Sequence, residues 1–206
     1  MWPLLFTSVV ALTVTLERLY FIFREKRSRQ PEVVEAILHQ LEHANTESAI
    51  HAGKGSTDFV ARTLTYALTH GQESLAQAVL RSANLELKRF RRGLSVLDTI
   101  ITLAPLLGLL GTVTGMIHSF GLIGGKELGA PVEITGGIAE ALIATGFGLG
   151  IAIVTLIPFN YLNSRTEEAR FELEDATTQL ELLLVSCSGK QCFLRQIEKV
   201  GESIDK

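Results

Sequence analysis

Charge is missing from two long stretches of this sequence. No Asp, Glu, Lys or Arg occurs from Thr99 to Gly125, and the stretch from Ile134 to Ser164 contains a single one, Glu140. Such runs exclude an ordinary soluble domain, because about 20 apolar residues rising 1.5 Å each cross the hydrocarbon core of a bilayer. Cysteine is scarce as well. Cys187 and Cys192 are the only two; they fall in a tail expected to be cytoplasmic, where thiols stay reduced, and two thiols five residues apart do not make a metal site. No G-x-x-x-x-G-K-[ST] occurs. Gly53-Lys54-Gly55 and Gly125-Lys126-Glu127 lack its spacing and its hydroxyl, which closes that route to a nucleotide. His39 and His43 stand four apart on a predicted helix but have no third ligand, so a solvated helix face is expected and no metal. No nucleophile, base and oxyanion-stabilising set is present, so neither an enzyme nor a resident cofactor is expected, and nucleic acid is not expected as a partner.

What is present is a mixture. Hydrophobic residues make up 47% of the chain and charged ones 20%, with a mean hydropathy of +0.28; part of the chain belongs in a membrane and part in water. Lys and Arg crowd two regions, Arg24 to Arg92 and Arg165 to Lys206, whereas the connection between the two apolar runs carries only Lys126. The positive-inside tendency makes both crowded regions cytoplasmic and the connection external. One more crossing is then required, and Trp2 to Leu16 supplies it, about 22 Å long as a helix. Glu17, Arg18, Tyr20, Phe21 and Phe23 anchor it at the inner interface. A cleaved signal peptide is disfavoured, because the positive residues follow the apolar run and no small-x-small site ends it.

The expected fold is an all-α integral membrane protein with three transmembrane helices, the second and third extended into the cytoplasm. Its expected parts are a first span over 1–23, a cytoplasmic helical region over 24–97, a second span over 98–125, a periplasmic loop over 126–133, a third span over 134–164, and a cytoplasmic helix and tail over 165–206. Within the cytoplasmic region, Gln30-Pro31-Glu32 starts a helix that runs to about His43. Gly53 to Ser56 is a turn. A further helix begins near Asp58 and breaks at Gly71, and the next starts near Gln72 and continues straight into the second span. The basic group Lys88, Arg89, Arg91 and Arg92 marks the inner membrane edge. Beyond the third span, Ala169, Leu173, Ala176, Leu180 and Leu183 are spaced 4, 3, 4, 3, a heptad-like seam for a partner helix. From Ser186 onward a frayed tail is expected.

Small residues punctuate both long spans. Gly108, Gly111 and Gly115 flank Thr112 and Thr114 in one; in the other Ala144, Gly148 and Ala152 form one line and Gly146 and Gly150 a second. This spacing lets helix backbones approach closely in lipid. Thr112 lies ten residues from Leu122 and Thr145 eleven from Ile134, so each hydroxyl is about 15 Å from the outer end of its helix, near the midplane. In a ring of chains they would form a hydroxyl belt; the plainer reading is that each bonds back to a carbonyl one turn earlier. Glu140 sits about 9 Å inside the outer end of its span and five residues, about 140°, from Thr145, so the two are expected to share a broad inner surface and not a single line. An acid in a span faces protein or a watery path rather than lipid. His118 lies at comparable depth and could pair with it; a histidine at headgroup level is the duller alternative.

The segments Ala104-Pro-Leu-Leu-Gly-Leu-Leu-Gly-Thr-Val-Thr-Gly115 and Gly137-Ile-Ala-Glu-Ala-Leu-Ile-Ala-Thr-Gly146 resemble the signature helices of the ExbB/TolQ/MotA proton-channel family, most closely its ExbB branch. The likeness runs from about Leu97 to Asn163, and Trp2-Pro3-Leu4-Leu5 with Leu16-Glu17-Arg18-Leu19 also resembles the family's first span. The resemblance implies a pentameric ring in the bacterial inner membrane, with the N-terminus periplasmic and the C-terminus cytoplasmic. The ring would enclose two transmembrane helices of an ExbD-like partner whose aspartate carries the proton. Thr112, Thr145 and Glu140 would line it, and a TonB-like protein would receive the energy to open outer-membrane transporters of iron-siderophores or cobalamin. Thr114 stands where better-known members often carry Trp, which changes the fit to the partner helix. Hydroxyl rings serve H⁺ or Na⁺, and H⁺ follows from the family likeness alone. The rival readings are a TolQ-like stator for envelope integrity, a noncatalytic scaffold whose glycines only pack helices, and, more remotely, a solute permease, for which three spans without an internal repeat are a poor fit.

Overall fold

The computed structural model describes residues 2–43, 45–71, 74–121 and 131–204, with side chains described within 2–121 and 135–185. The described residues form seven helices: α1 Trp2–Arg27, α2 Pro31–Glu42, α3 Thr46–Gly53, α4 Phe59–His70, α5 Leu75–Arg91, α6 Leu94–Gly121 and α7 Pro131–Ile204. Among the described residues three helical stretches are long and apolar enough to cross a membrane, Trp2–Arg27, Leu75–Gly121 and Thr135–Val185. This is the architecture of an integral membrane protein. The connection expected over 126–133 begins outside the described residues, as do the side chains of Cys187 and Cys192.

The chain divides into two compact units, Met1–Ile22 with Arg91–Arg165, and Phe23–Phe90 with Thr166–Lys206. The first unit contains the apolar parts of α1, α6 and α7. Ile22, Leu94, Leu97 and Leu162 form a buried cluster at its basic end, with Val14, Phe21 and Phe159 packed around it. Arg18 is buried there because its guanidinium is paired with Glu17 at 2.9 Å and lies over the Phe21 ring. Gly93 opens this end. Its φ of +80° suits a residue without a Cβ, and a Cβ there would come within 2.9 Å of Arg18 Nε. The helix expected to run unbroken into the second span is therefore interrupted at Arg92 and Gly93.

The second unit is built from short amphipathic helices. α2 begins at Pro31, where a missing N–H costs nothing, and buries Ile37 and Leu41. The Asn45 side chain caps α3, a helix not expected from the sequence, by accepting from the Ser48 N–H. Asp58 caps α4 and is fully buried; its carboxylate accepts from the N–H groups of Val60 and Gln30, each at 2.8 Å. That double acceptance ties the turn after α1 to the start of α4. Gly53 packs so closely that a Cβ would collide with Thr65 and Ile37. On α7, Ala169, Leu173, Ala176 and Leu180 are buried, as the heptad spacing predicts, while Leu183, the last position of that seam, is half-buried. The tail expected to fray beyond Ser186 is instead helical to Ile204; no proline interrupts that stretch.

Candidate functional site

Small residues set the distance between α6 and α7. A Cβ added at Gly115 would meet Ala141 Cβ at 2.8 Å, one at Gly111 would meet Ala144 Cβ at 2.8 Å, and one at Gly108 would come within 3.0 Å of Thr145 Cα. From the other helix, a Cβ at Gly148 would come within 2.5 Å of the Ala104 carbonyl oxygen, and one at Gly137 would collide with Ser119. As numbers rise on one helix they fall on the other, so the two run antiparallel along a seam of glycine and alanine. Gly146 and Gly150 have open space around them instead. They line a cavity of 630 Å³ whose other walls include Ser8, Leu12 and Thr15 of α1.

The seam decides which side each polar residue takes. Successive residues are about 100° apart on a helix, and in an antiparallel pair an equal step along each chain leads to the same side. Thr112 follows Gly111 and Thr145 follows Ala144, the two halves of one touching pair, so both threonines stand on one side of the seam. Glu140 precedes Ala141 and His118 precedes Ser119, which puts these two on the opposite side. The structure thus joins the threonines to each other and not to Glu140. Neither Glu140 nor His118, both exposed, makes a hydrogen bond or ion pair within the described residues.

The hydroxyl protons on the threonine side are committed. Thr112 Oγ1 donates to the Leu109 carbonyl at 2.7 Å, one turn back. Thr145 Oγ1 donates across the seam to the Gly108 carbonyl at 3.0 Å. A hydroxyl has one proton and two lone pairs, so each of these oxygens offers its surroundings acceptor sites only. Such a surface favours a species that brings its own proton or positive charge: a protonated carboxyl, hydronium or a small cation.

The basic residues expected at the membrane edge, Arg89, Arg91 and Arg92, are all exposed, and Arg89 pairs with Glu86 at 3.2 Å. Sequence reasoning missed an ion-pair set in the second unit. Arg29 holds Asp58 at 3.4 Å and Glu172 at 2.6 Å and lies over the Phe59 ring. Arg62 holds Glu86 at 2.9 Å and Glu25 at 3.6 Å. Burial raises the pKa of Glu25 above its ordinary 4.5, with Arg62 pulling the other way, and burial raises that of Glu172 against the pull of Arg29. Partners 24 to 143 residues apart in the chain leave no periodic trace in sequence. Among the described residues no group of three or more metal-ligating side chains occurs.

Residues 51–175 match the model of the MotA/TolQ/ExbB proton channel family. Over 192 residues the chain is 36% identical to the biopolymer transport protein ExbB-like 1 of Synechocystis sp., covering 89% of this chain and 74% of that one. It is 36% identical over 190 residues to ExbB-like 3 of the same organism, covering 88% of each. An ExbB homolog of Methanothermobacter thermautotrophicus is 27% identical over 170 residues, covering 81% of this chain and 60% of the relative.

Proposed function

The chain belongs to the MotA/TolQ/ExbB proton channel family, whose members are non-enzymatic channel proteins, and on that premise we propose that it is a stator subunit passing proton motive force to a biopolymer-transport machine. Several copies, five by family likeness, surround two copies of the single span of an ExbD-like partner, and a TonB-like protein takes up the work to drive nutrient uptake through an outer envelope. The basic ends of the spans face the cytoplasm and the N-terminus faces the periplasm. The spans correspond to 1–23, 98–125 and 134–164, with 24–97 and 165–206 in the cytoplasm.

The observation that carries this reading is the shared side of Thr112 and Thr145, with both hydroxyl protons already donated. An acceptor-only belt stabilises a partner's carboxylic acid in its neutral form and gives a bare carboxylate nothing to bond. The partner's acid therefore passes the belt protonated and releases its proton beyond it. Na⁺ is also compatible with lone pairs of this kind, and H⁺ rests on the family. Glu140 and His118, across the seam, meet the adjoining copy in a ring and act on assembly more than on the path. Gly108, Gly111, Gly115 and Gly148 hold the seam, while Gly146 and Gly150 leave room beside α1.

Co-expression with the single-span partner, followed by native mass and energised uptake, tests the reading. Five copies holding partner helices, together with Thr112→Val or Thr145→Ala complexes that assemble but lose uptake, is the expected result. Full uptake with Thr112, Glu140 and Thr145 all made apolar would leave only a scaffold. Detergent sensitivity on deletion, in place of nutrient starvation, would point to the TolQ-like role.

A further inference from the structure

We infer that Asp98 is the proton acceptor at the cytoplasmic end of the threonine-lined face. The inference rests on the proposed function and extends it to a residue far from the hydroxyl belt. Asp98 follows Leu97, which is fully buried, just as Thr112 follows Gly111, so it steps to the same side of α6. Fourteen residues separate it from Thr112, which is about 40° in angle and about 21 Å along the axis. With Thr112 near the midplane, the carboxylate lies about 6 Å beyond the edge of a hydrocarbon core about 30 Å thick, where the headgroups meet water. Its side chain is exposed and makes no hydrogen bond or ion pair within the described residues.

The face between the two residues carries acceptors beside the exposed, apolar Leu109. Thr102 Oγ1 donates to the carbonyls of Asp98 at 3.3 Å and Thr99 at 2.9 Å, which leaves its lone pairs outward as at Thr112. Pro105 lies inside α6 on the same arc, and it withdraws the N–H that the Ile101 carbonyl would otherwise receive. From α7, Asn163 steps to this side after the buried Leu162 and contributes a neutral amide. The cations at this end are otherwise placed: Arg18 is paired with Glu17, Arg165 lies over the Tyr161 ring, and Arg91 and Arg92 precede the break at Gly93.

The step is a proton transfer that balances. A hydronium leaving the path gives its proton to a carboxylate oxygen of Asp98, forming one O–H bond as another breaks and leaving water. The neutral acid then returns the proton to cytoplasmic water. While ionised, the carboxylate also concentrates protons at the mouth.

The test uses inverted membrane vesicles containing the full chain and its partner, with proton flux read by a trapped pH dye. Asp98→Asn is expected to lower flux about tenfold, the low end of electrostatic focusing. It should also abolish the native rise in flux as ionic strength on the cytoplasmic side is reduced. Asp98→Glu should restore both, with the complex's native mass unchanged throughout. Native flux and salt response in Asp98→Asn, beside a defective Thr145→Ala, would remove Asp98 alone. Native flux in both variants would overturn the proposed function itself. Loss of assembled mass in Asp98→Asn and Asp98→Glu alike would make the residue a structural anchor and overturn the inference.

Discussion

Thr145 reaches across the seam to the Gly108 carbonyl, 37 residues away in sequence, at the level where a Cβ on Gly108 would touch the Thr145 backbone. The close approach and the hydrogen bond depend on each other: a side chain at position 108 would push the helices apart and break the bond. Replacing Thr145 with Ala should cost about 0.6 kcal/mol of stability, the average for interhelical hydrogen bonds in membranes, yet abolish energised uptake. Thr145→Ser should retain both. Thermal denaturation in detergent and uptake measured on the same preparations separate the structural loss from the functional one.

The alternate glycines of α7 should respond oppositely to a methyl group. Gly148→Ala drives a Cβ toward the Ala104 carbonyl oxygen, an overpacking that costs about 1–3 kcal/mol and should lower the melting temperature and the yield from membranes. Gly150→Ala meets open space and should leave the fold of the single chain unchanged, as near-native circular dichroism and melting would show.

In the second unit, Asp58→Ala removes a helix cap and strands the Gln30 N–H. The cap alone is worth about 0.5–2 kcal/mol. Limited proteolysis should begin to cut between α3 and α4, where the native chain resists. Asp58→Asn should recover most of the protection, since an amide oxygen can cap as well.

Glu25 and Glu172 should give the stability a pH dependence of definite sign. Both acids have folded pKa values above the ordinary 4.5, chiefly through burial. Between 4.5 and those raised values the folded chain holds more protons than the unfolded one, so the contribution of these groups is fully present below 4.5 and is lost as pH rises through the folded pKa. Glu25→Gln and Glu172→Gln should each flatten that part of the profile of melting temperature against pH. An unchanged slope in the double variant would show that neither carboxyl is its source.

Much of the fold was legible because membrane helices announce themselves by length and missing charge. Pro31 and the spacing of Ala169, Leu173, Ala176 and Leu180 were equally plain, since a helix start and a heptad stripe are local patterns. Gly93 was not. Its positive φ and the approach of Arg18, which leaves no room for a Cβ, are set by packing against α1 and not by the local sequence. The site was half legible. Composition singled out Thr112, Thr145 and Glu140, and ideal helix geometry put Glu140 about 140° from Thr145. Which of them share a side depends on which stripe of small residues meets the other helix, and two stripes were available on α7. Nor could sequence tell that the Thr145 proton crosses to Gly108 rather than returning to its own helix.

A chloride or hydroxide ion that reached Thr112 and Thr145 would find no hydrogen-bond donor on either hydroxyl. Anions crossing a membrane protein rely on donors to replace the water they leave behind. These two side chains, already giving their protons to Leu109 and Gly108, withhold that replacement while staying uncharged. In the proposed ring, these two side chains would therefore discriminate against anions without placing a fixed charge at their depth.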